Sequence, residues 1–342
     1  MSPGLNRKLP RCSLNSIGRI RRVRLLAVIP VLIAAIVNTG YQYYLVKFSS
    51  TEATLAGVFD IVLRGLIYIM PIFVVALLSA AVWERIFAEK RGRPFDTGVI
   101  YTAFLVTLLM PPNAGFIHIV FGMSFAMVFA HGIFGGEGKS FLNPALVAVA
   151  MIQITFPGSL PFDGLWRDLN GYAGIQYFQI YHQQGGLTDI SWLQAFFGNT
   201  QGLMGTTSVF AISISAAWLI FHRMISWRLL CGHVIGLIIM AIICDYMLEE
   251  VFDVAWYWQP VLGSFAFAAV FLASDPSASA STNTGRWVQG ILAGALIVLL
   301  RALNPSHGDS VIPVLLLVSM LAPLIDHIVV WFNIRRRVSG HA

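Results

Sequence analysis

The stretch GGEGKSFLNPA at residues 135–145 decides between two classes of protein. Its Gly138-Lys139-Ser140 resembles the end of a Walker A phosphate-binding loop. That loop also needs a glycine five residues before its Gly-Lys pair, where this chain has Ile133. The flanks are continuous apolar runs, FIHIVFGMSFAMVFA before and LVAVAMIQITF after, without the alternation of a half-buried strand. The stretch is therefore predicted to be a helix-breaking or re-entrant turn between two apolar helices.

The composition places the whole chain in the membrane. Of its 342 residues 57% are hydrophobic and only 11% are charged, against about 25% charged in soluble domains. We predict an all-α polytopic membrane protein with about ten transmembrane helices, from apolar segments near 25–46, 57–83, 97–111, 115–131, 141–157, 208–221, 229–248, 257–274, 287–301 and 311–332. Several are shorter than the roughly 20 residues that span hydrocarbon and are bounded by Gly or Pro, which indicates broken or half helices.

The basic residues predict an orientation. With ten spans both termini share one side, and that side holds 18 of the 22 Lys and Arg residues. The positive-inside rule makes it cytoplasmic, so the net charge of +6 reports orientation and not nucleic-acid binding. We expect a basic cytoplasmic segment over 1–24, a single membrane domain over 25–342 and an external loop at about 158–206. The basic N-terminal segment lacks the pattern of a cleaved signal peptide.

Two stretches resemble each other within the chain. GMSFAMVFAHG begins at Gly122 and GSFAFAAVFLASDPSASAS begins at Gly263, and each leads from an apolar helix through a small-residue loop to another apolar helix. The spacing suits two repeats of five helices, and such repeats often place a site at their interface. The alternative is that the small residues only permit close helix packing. The three cysteines form no C-x-x-C pair, so no metal or iron–sulfur site is expected.

Four stretches carry a resemblance to a known family: GGEGKSFLNPAL, FLASDPSASASTNTGRWVQGIL, RALNPSHGDS and LAPLIDHIVVWFNIRRR. The chain resembles the B subunit of the Na⁺-translocating NADH:quinone oxidoreductase and its relative, the D subunit of the Rnf complex. The resemblance covers nearly the whole chain. It implies a multi-pass subunit in the bacterial cytoplasmic membrane, working with other membrane subunits, a flavin (FMN or riboflavin), quinone and Na⁺.

The chain departs from this family at the flavin. The family attaches FMN to the threonine of an Asp-Gly-x-Ser-Gly-Ala-Thr motif, and the matching residues here run from Asn170 to Gln176. The Gln176 carboxamide cannot form the phosphoester, so we expect a non-covalent flavin. Thr207, in the degenerate echo QGLMGTT, is the alternative attachment point, although its flanks match a family segment without flavin. A second departure is Ala80-Ala81, where the family has two glycines near its quinone site.

Three acids at the ends or breaks of spans match family acids associated with ion entry: Glu84, Asp275 and Asp326. Ionisable residues beside membrane spans are costly, and carboxylate oxygens suit Na⁺. The alternatives are that Asp275 caps a helix before Pro276 and that Glu84 pairs with Arg85 or Lys90.

The two loops of the internal echo are predicted to meet near the cytoplasmic half of the membrane. Gly138, Ser140, Asn143 and Asp275 would then frame one flavin or ion site. The resulting hypothesis is a membrane subunit of a flavin-dependent, ion-coupled (Na⁺ or H⁺) electron-transfer complex. The alternative is a transporter or channel that keeps the same scaffold without the redox role.

Overall fold

The computed structural model describes residues 11–47, 57–136, 140, 142–156, 191–200, 202–247, 255–276, 278–303 and 310–339. Within these ranges the chain is helical and contains no strand. In chain order the helices are α1 (Arg11–Lys47), α2 (Val58–Arg91), α3 (Val99–Leu108), α4 (Phe116–Phe125), α5 (Pro144–Thr155), α6 (Trp192–Phe197), α7 (Val209–Phe221), α8 (Trp227–Met247), α9 (Phe265–Phe267), α10 (Asn283–Leu303) and α11 (Val311–Ser339).

The helices agree with the predicted apolar segments. Each of the ten segments overlaps one of these helices, and α6 is an additional short helix within the predicted external loop. By length and composition α2, α8, α10 and α11 can each cross a membrane, while α3, α4, α5 and α7 are shorter apolar helices. The chain is therefore an all-helical, multi-pass membrane protein, as predicted.

The opening stretch is a break between two helices, as the sequence predicts. After α4 the chain continues in π-helical turns over Ala126–Gly132, and Gly135 and Gly136 then take φ of 109° and 101°. Such positive φ values are strained for residues with a Cβ, so these two glycines end the helix. Asn143 begins the next helix because its side chain accepts a hydrogen bond from the Ala145 amide at 2.9 Å.

The second loop of the internal echo is also preceded by π-helical turns, over Ala268–Ala273 after α9. The likeness of the two sequence stretches thus extends to their backbone. Counted along the ten apolar segments, however, α4 is the fourth and α9 the eighth, so they do not occupy the same place in two successive five-helix halves. The five-helix repeats remain a prediction.

Close helix crossings hold the bundle together. A Cβ on Gly236 of α8 would lie 2.2 Å from the Ile291 carbonyl oxygen of α10, and one on Gly294 would lie 2.1 Å from the His233 carbonyl oxygen. A Cβ on Gly40 of α1 would lie 1.9 Å from the Ile61 carbonyl oxygen of α2. Only glycine allows these backbones to approach so closely, which is typical of packing between transmembrane helices.

The basic end of the bundle positions the candidate site. We use this name for the end that holds the N-terminal half of α1, the C-terminus of α2, the start of α3 and the breaks after α4 and α9. The predicted cytoplasmic orientation of this end is not tested by the structure. Side chains cross it from one helix to another, beginning with Arg21, whose Nη1 donates to Thr97 Oγ1 at 2.9 Å.

Candidate functional site

The two loops of the internal echo meet through Asn143 and Asp275. The Asn143 Nδ2 donates to Asp275 Oδ2 at 3.2 Å and to the Phe271 carbonyl oxygen at 3.4 Å. Since Asn143 caps α5 and Asp275 follows the π-helical turns after α9, one amide joins the two breaks. The predicted meeting of these loops is therefore present in the structure.

A guanidinium from α1 completes this cluster. Arg24 Nη2 lies 3.2 Å from Asp275 Oδ1, and the side chains of Arg24 and Asp275 are only 16% and 12% exposed. Arg24 also lies over the ring of Tyr101 in α3, 5.7 Å from its centroid. Each oxygen of the Asp275 carboxylate thus has a partner, one cationic and one neutral. The carboxylate ties together α1, α5 and the break after α9.

The space beside Asp275 is small. A cavity of about 10 Å³ lies between Arg24, Tyr101, Phe271 and Asp275. A single water needs about 10–15 Å³, so the cavity suits one water or one small cation. The predicted binding of a flavin between Asn143 and Asp275 stays a prediction, since Asn143 does not line this cavity and residues 137–139 lie outside the described part of the chain. Ser140, also predicted for that site, is buried, and Gly138 lies outside the described residues.

Glu84 lies at the centre of a second cluster. Its side chain is 0% exposed, and its Oε2 accepts from Arg93 Nη2 at 2.9 Å and lies 3.2 Å from His131 Nε2. Its Oε1 accepts from the Asp96 backbone amide at 3.0 Å. The alternative that Glu84 pairs with Arg85 or Lys90 is wrong, because the carboxylate points inward to Arg93.

Asp96 extends the Glu84 cluster to α1. Its carboxylate forms an ion pair with Arg21 and accepts from the Gly98 amide at 2.9 Å, which places the start of α3. Ligand atoms of Glu84, Asp96 and His131 all lie within 4.8 Å of one another. The two arginines already supply the positive charge that a cation would bring to these acids.

Asp326 of α11 lies in a third cluster and has a different environment. Its carboxylate accepts from the Ser281 amide at 2.6 Å, the Thr282 amide at 3.0 Å and the Thr282 hydroxyl at 2.6 Å. These groups lie just before α10, so Asp326 caps a broken backbone from across the bundle. Glu84, Asp275 and Asp326 therefore lie in three separate hydrogen-bonded clusters, and their predicted role in an ion path stays a prediction.

Thr207, the alternative attachment point for FMN, is buried at 6% exposed. It lies in a turn that is attached to the end of α3, where the Gly205 amide donates to the Leu108 carbonyl oxygen at 2.6 Å. A buried hydroxyl in such a turn does not suit a phosphoester to a bulky flavin. Gln176 and the rest of the stretch that matches the family motif lie outside the described residues.

Sequence reasoning missed the basic partners of these acids. In the sequence Arg24 and Arg21 indicate only the orientation of the chain, and Arg93 belongs to the loop after α2. His131 lies at the end of the echoed stretch beginning at Gly122, and that position is the one signal that could have marked it.

Comparison with known proteins supports the resemblance. The model of the NQR2, RnfD, RnfE family matches residues 12–335. The chain is 35% identical over 341 residues to the B subunit of the Na(+)-translocating NADH-quinone reductase of Azotobacter vinelandii, with 92% of this chain and 84% of the relative covered. It is 34% identical over 293 residues to the corresponding B subunit of Neisseria meningitidis, with 82% and 72% covered. With matches over this length, the chain belongs to the NQR2, RnfD and RnfE family.

Proposed function

We propose that this chain is the membrane subunit of an ion-coupled electron-transfer complex of the NADH:quinone oxidoreductase or Rnf type, located in the bacterial cytoplasmic membrane. The observation that carries the proposal is the family match over residues 12–335. The relatives are named as Na⁺-translocating NADH-quinone reductase subunits, which supports electron transport, sodium transport and partner subunits for this chain.

The Asp275 cluster is the proposed entry point of the transported cation. A carboxylate beside a helix break and a small cavity suits a dehydrated Na⁺, since hard cations prefer oxygen ligands. In this structure Asp275 forms an ion pair with Arg24, with 3.2 Å between Asp275 Oδ1 and Arg24 Nη2. A cation can replace that guanidinium without leaving the carboxylate uncompensated. Arg24 would then act as the competitor that the cation must displace.

The redox role remains a proposal about the complex. A flavin supplies the one- and two-electron chemistry of such complexes when it is bound, and quinone would be the electron acceptor. Gln176 supports non-covalent rather than covalent attachment on this chain. The cavity of about 10 Å³ beside Asp275 supports an ion path at this loop, because it suits a small cation.

The test is the Na⁺ dependence of quinone reduction by the purified complex. Asp275→Asn keeps the shape of the side chain and removes its charge. We expect the Na⁺ concentration for half-maximal turnover to rise about tenfold or more, which corresponds to losing roughly 1.4 kcal/mol of cation binding. Glu89→Gln is the control, because that carboxylate is 64% exposed, pairs with Arg85 on the same helix and is not among the predicted ion-path acids.

Two outcomes would contradict this proposal. An unchanged Na⁺ response in Asp275→Asn would remove the ion role from this cluster. A purified, fully folded protein with no absorbance near 450 nm and no co-purifying redox subunit would favour the transporter or channel alternative.

A further inference from the structure

A groove opens on the outer face of the bundle between α5 and α11. It encloses about 590 Å³, within the range of roughly 300–1,000 Å³ that is typical of ligand pockets in proteins. The residues that matter for its occupant are Ala150, Gln153 and Ile154 from α5 and Pro313, Leu317 and Met320 from α11.

Gln153 is the one polar side chain among the residues that line this groove. Across the part of the chain that the structure describes, no group forms a hydrogen bond with its amide. Two other amides in the bundle are paired: Asn143 Nδ2 donates to Asp275, and Gln289 Nε2 donates to the Ala278 carbonyl oxygen. On a face turned to lipid an unpaired amide is costly, since lipid tails offer it no partner. The occupant of the groove must therefore carry a hydrogen-bonding group among apolar ones.

The floor and the rim of the groove fit a helix. Ala150 is 3% exposed and forms a small-residue floor, which lets another backbone approach, and polar side chains such as Gln commonly bond across transmembrane helices. The rim continues along α11 with alternating spacings of four and three residues, through Leu317, Leu321, Leu324, Ile328 and Trp331. Apolar residues at that spacing form the contact surface between two helices that wind around each other with a left-handed supercoil.

We propose that this groove seats one transmembrane helix of a partner subunit, and that this helix carries a hydrogen-bonding side chain at the depth of Gln153. The proposal rests on the proposed function, because only a multi-subunit complex supplies the partner. A lipid chain would fill the apolar volume and leave the amide unpaired. A lipid-facing surface has a different appearance in this protein. The exposed residues of α2 between Ile67 and Val82, such as Met70 and Leu78, are all apolar and border neither this groove nor the cavity beside Asp275.

The first experiment uses photocross-linking in the intact complex in its own membrane. Benzoylphenylalanine replaces Leu317 in the groove, and in a control variant it replaces Leu78, which is 60% exposed on α2. We expect the probe at 317 to give an adduct with a membrane-spanning peptide of one co-purifying subunit, identified by mass spectrometry, and the probe at 78 to give none. Lipid adducts alone at both positions would overturn the proposal, as would an adduct of the 317 probe with this chain itself.

The second experiment tests the amide. Gln153→Leu keeps the volume and removes the hydrogen bond, and we expect it to lower retention of the cross-linked subunit after a detergent wash about three- to tenfold. Gln153→Asn keeps an amide and should restore part of that retention. Equal retention in all three proteins would overturn the role of Gln153 and, with it, the proposal.

The two proposals fail differently. In one outcome, electron transfer from NADH to quinone and co-purification of subunits are intact, but the probe at 317 gives no adduct with a partner helix. That outcome refutes only the proposal that the groove binds a partner helix. If the chain purifies without flavin, redox activity or other subunits, both the proposed function and the proposal for the groove are refuted.

Discussion

Removal of the Glu84 carboxylate should destabilise the bundle far more than removal of any exposed charge. The side chain is 0% exposed and accepts from Arg93 at 2.9 Å and the Asp96 amide at 3.0 Å, beside His131 at 3.2 Å. Breaking a buried pair by removing one partner costs about 3–5 kcal/mol. Arg93 is 21% exposed, so water can reach part of its guanidinium, and we expect Glu84→Ala to cost about 3 kcal/mol.

The measurement is the free energy of unfolding of the purified protein in mixed micelles, titrated with SDS. A double-mutant cycle with Glu84→Ala and Arg93→Ala should give a coupling of about 1–3 kcal/mol, because each single change leaves the other charge unpaired. Arg85→Ala is the control. Its pair with Glu89 spans 2.6 Å, but the two side chains are 72% and 64% exposed, and such pairs contribute little.

The opposite result would refute the reasoning. If the Glu84→Ala variant has the same free energy of unfolding as the parent protein, the carboxylate does not form stabilising contacts with Arg93 and the Asp96 amide in solution. Glu84 would then be available as a cation ligand, and, on the proposed function, turnover of the complex that contains the variant should lose its Na⁺ dependence without any loss of stability.

The remaining predictions concern the backbone and the flavin. Arg223 takes a φ of 55° at the end of α7, so Arg223→Gly should stabilise the protein by about 1 kcal/mol in the same titration, and a loss of stability would contradict the strain. Gly294→Val should prevent the α8–α10 crossing, because a Cβ there would lie 2.1 Å from the His233 carbonyl oxygen, and wild-type yield of folded protein would contradict it. Thr207→Ala should leave flavin content and in-gel fluorescence unchanged, and loss of a fluorescent band would show covalent FMN at that hydroxyl.

The sequence predicts the helices well because membrane insertion depends on composition. Apolar runs such as 208–221 and 287–301 need no tertiary information to be recognised, and they lie within or closely match α7 and α10. The contact between Asn143 and Asp275 was also predictable, since both residues follow breaks that the topology places on one side. Their basic partners were not. Arg24 is 251 residues away from Asp275, and nothing in the spacing of either residue indicates that α1 packs beside the break after α9.

The polar contacts at the basic end satisfy backbone groups that the helix breaks leave without partners. The same contacts offer a way to link ion binding to movement of the helix ends. A helix break leaves backbone groups without partners, and in a membrane each must be satisfied by another part of the protein. Here Asn143 bonds the Phe271 carbonyl oxygen, Asp326 bonds the Thr282 amide and Glu84 bonds the Asp96 amide. On the proposed function, a cation that binds Asp275 competes with Arg24 and disturbs the Asn143 contact. It thereby loosens the attachment of α1 and α5 to the break after α9, so that occupancy of the ion site and the position of these helix ends depend on each other.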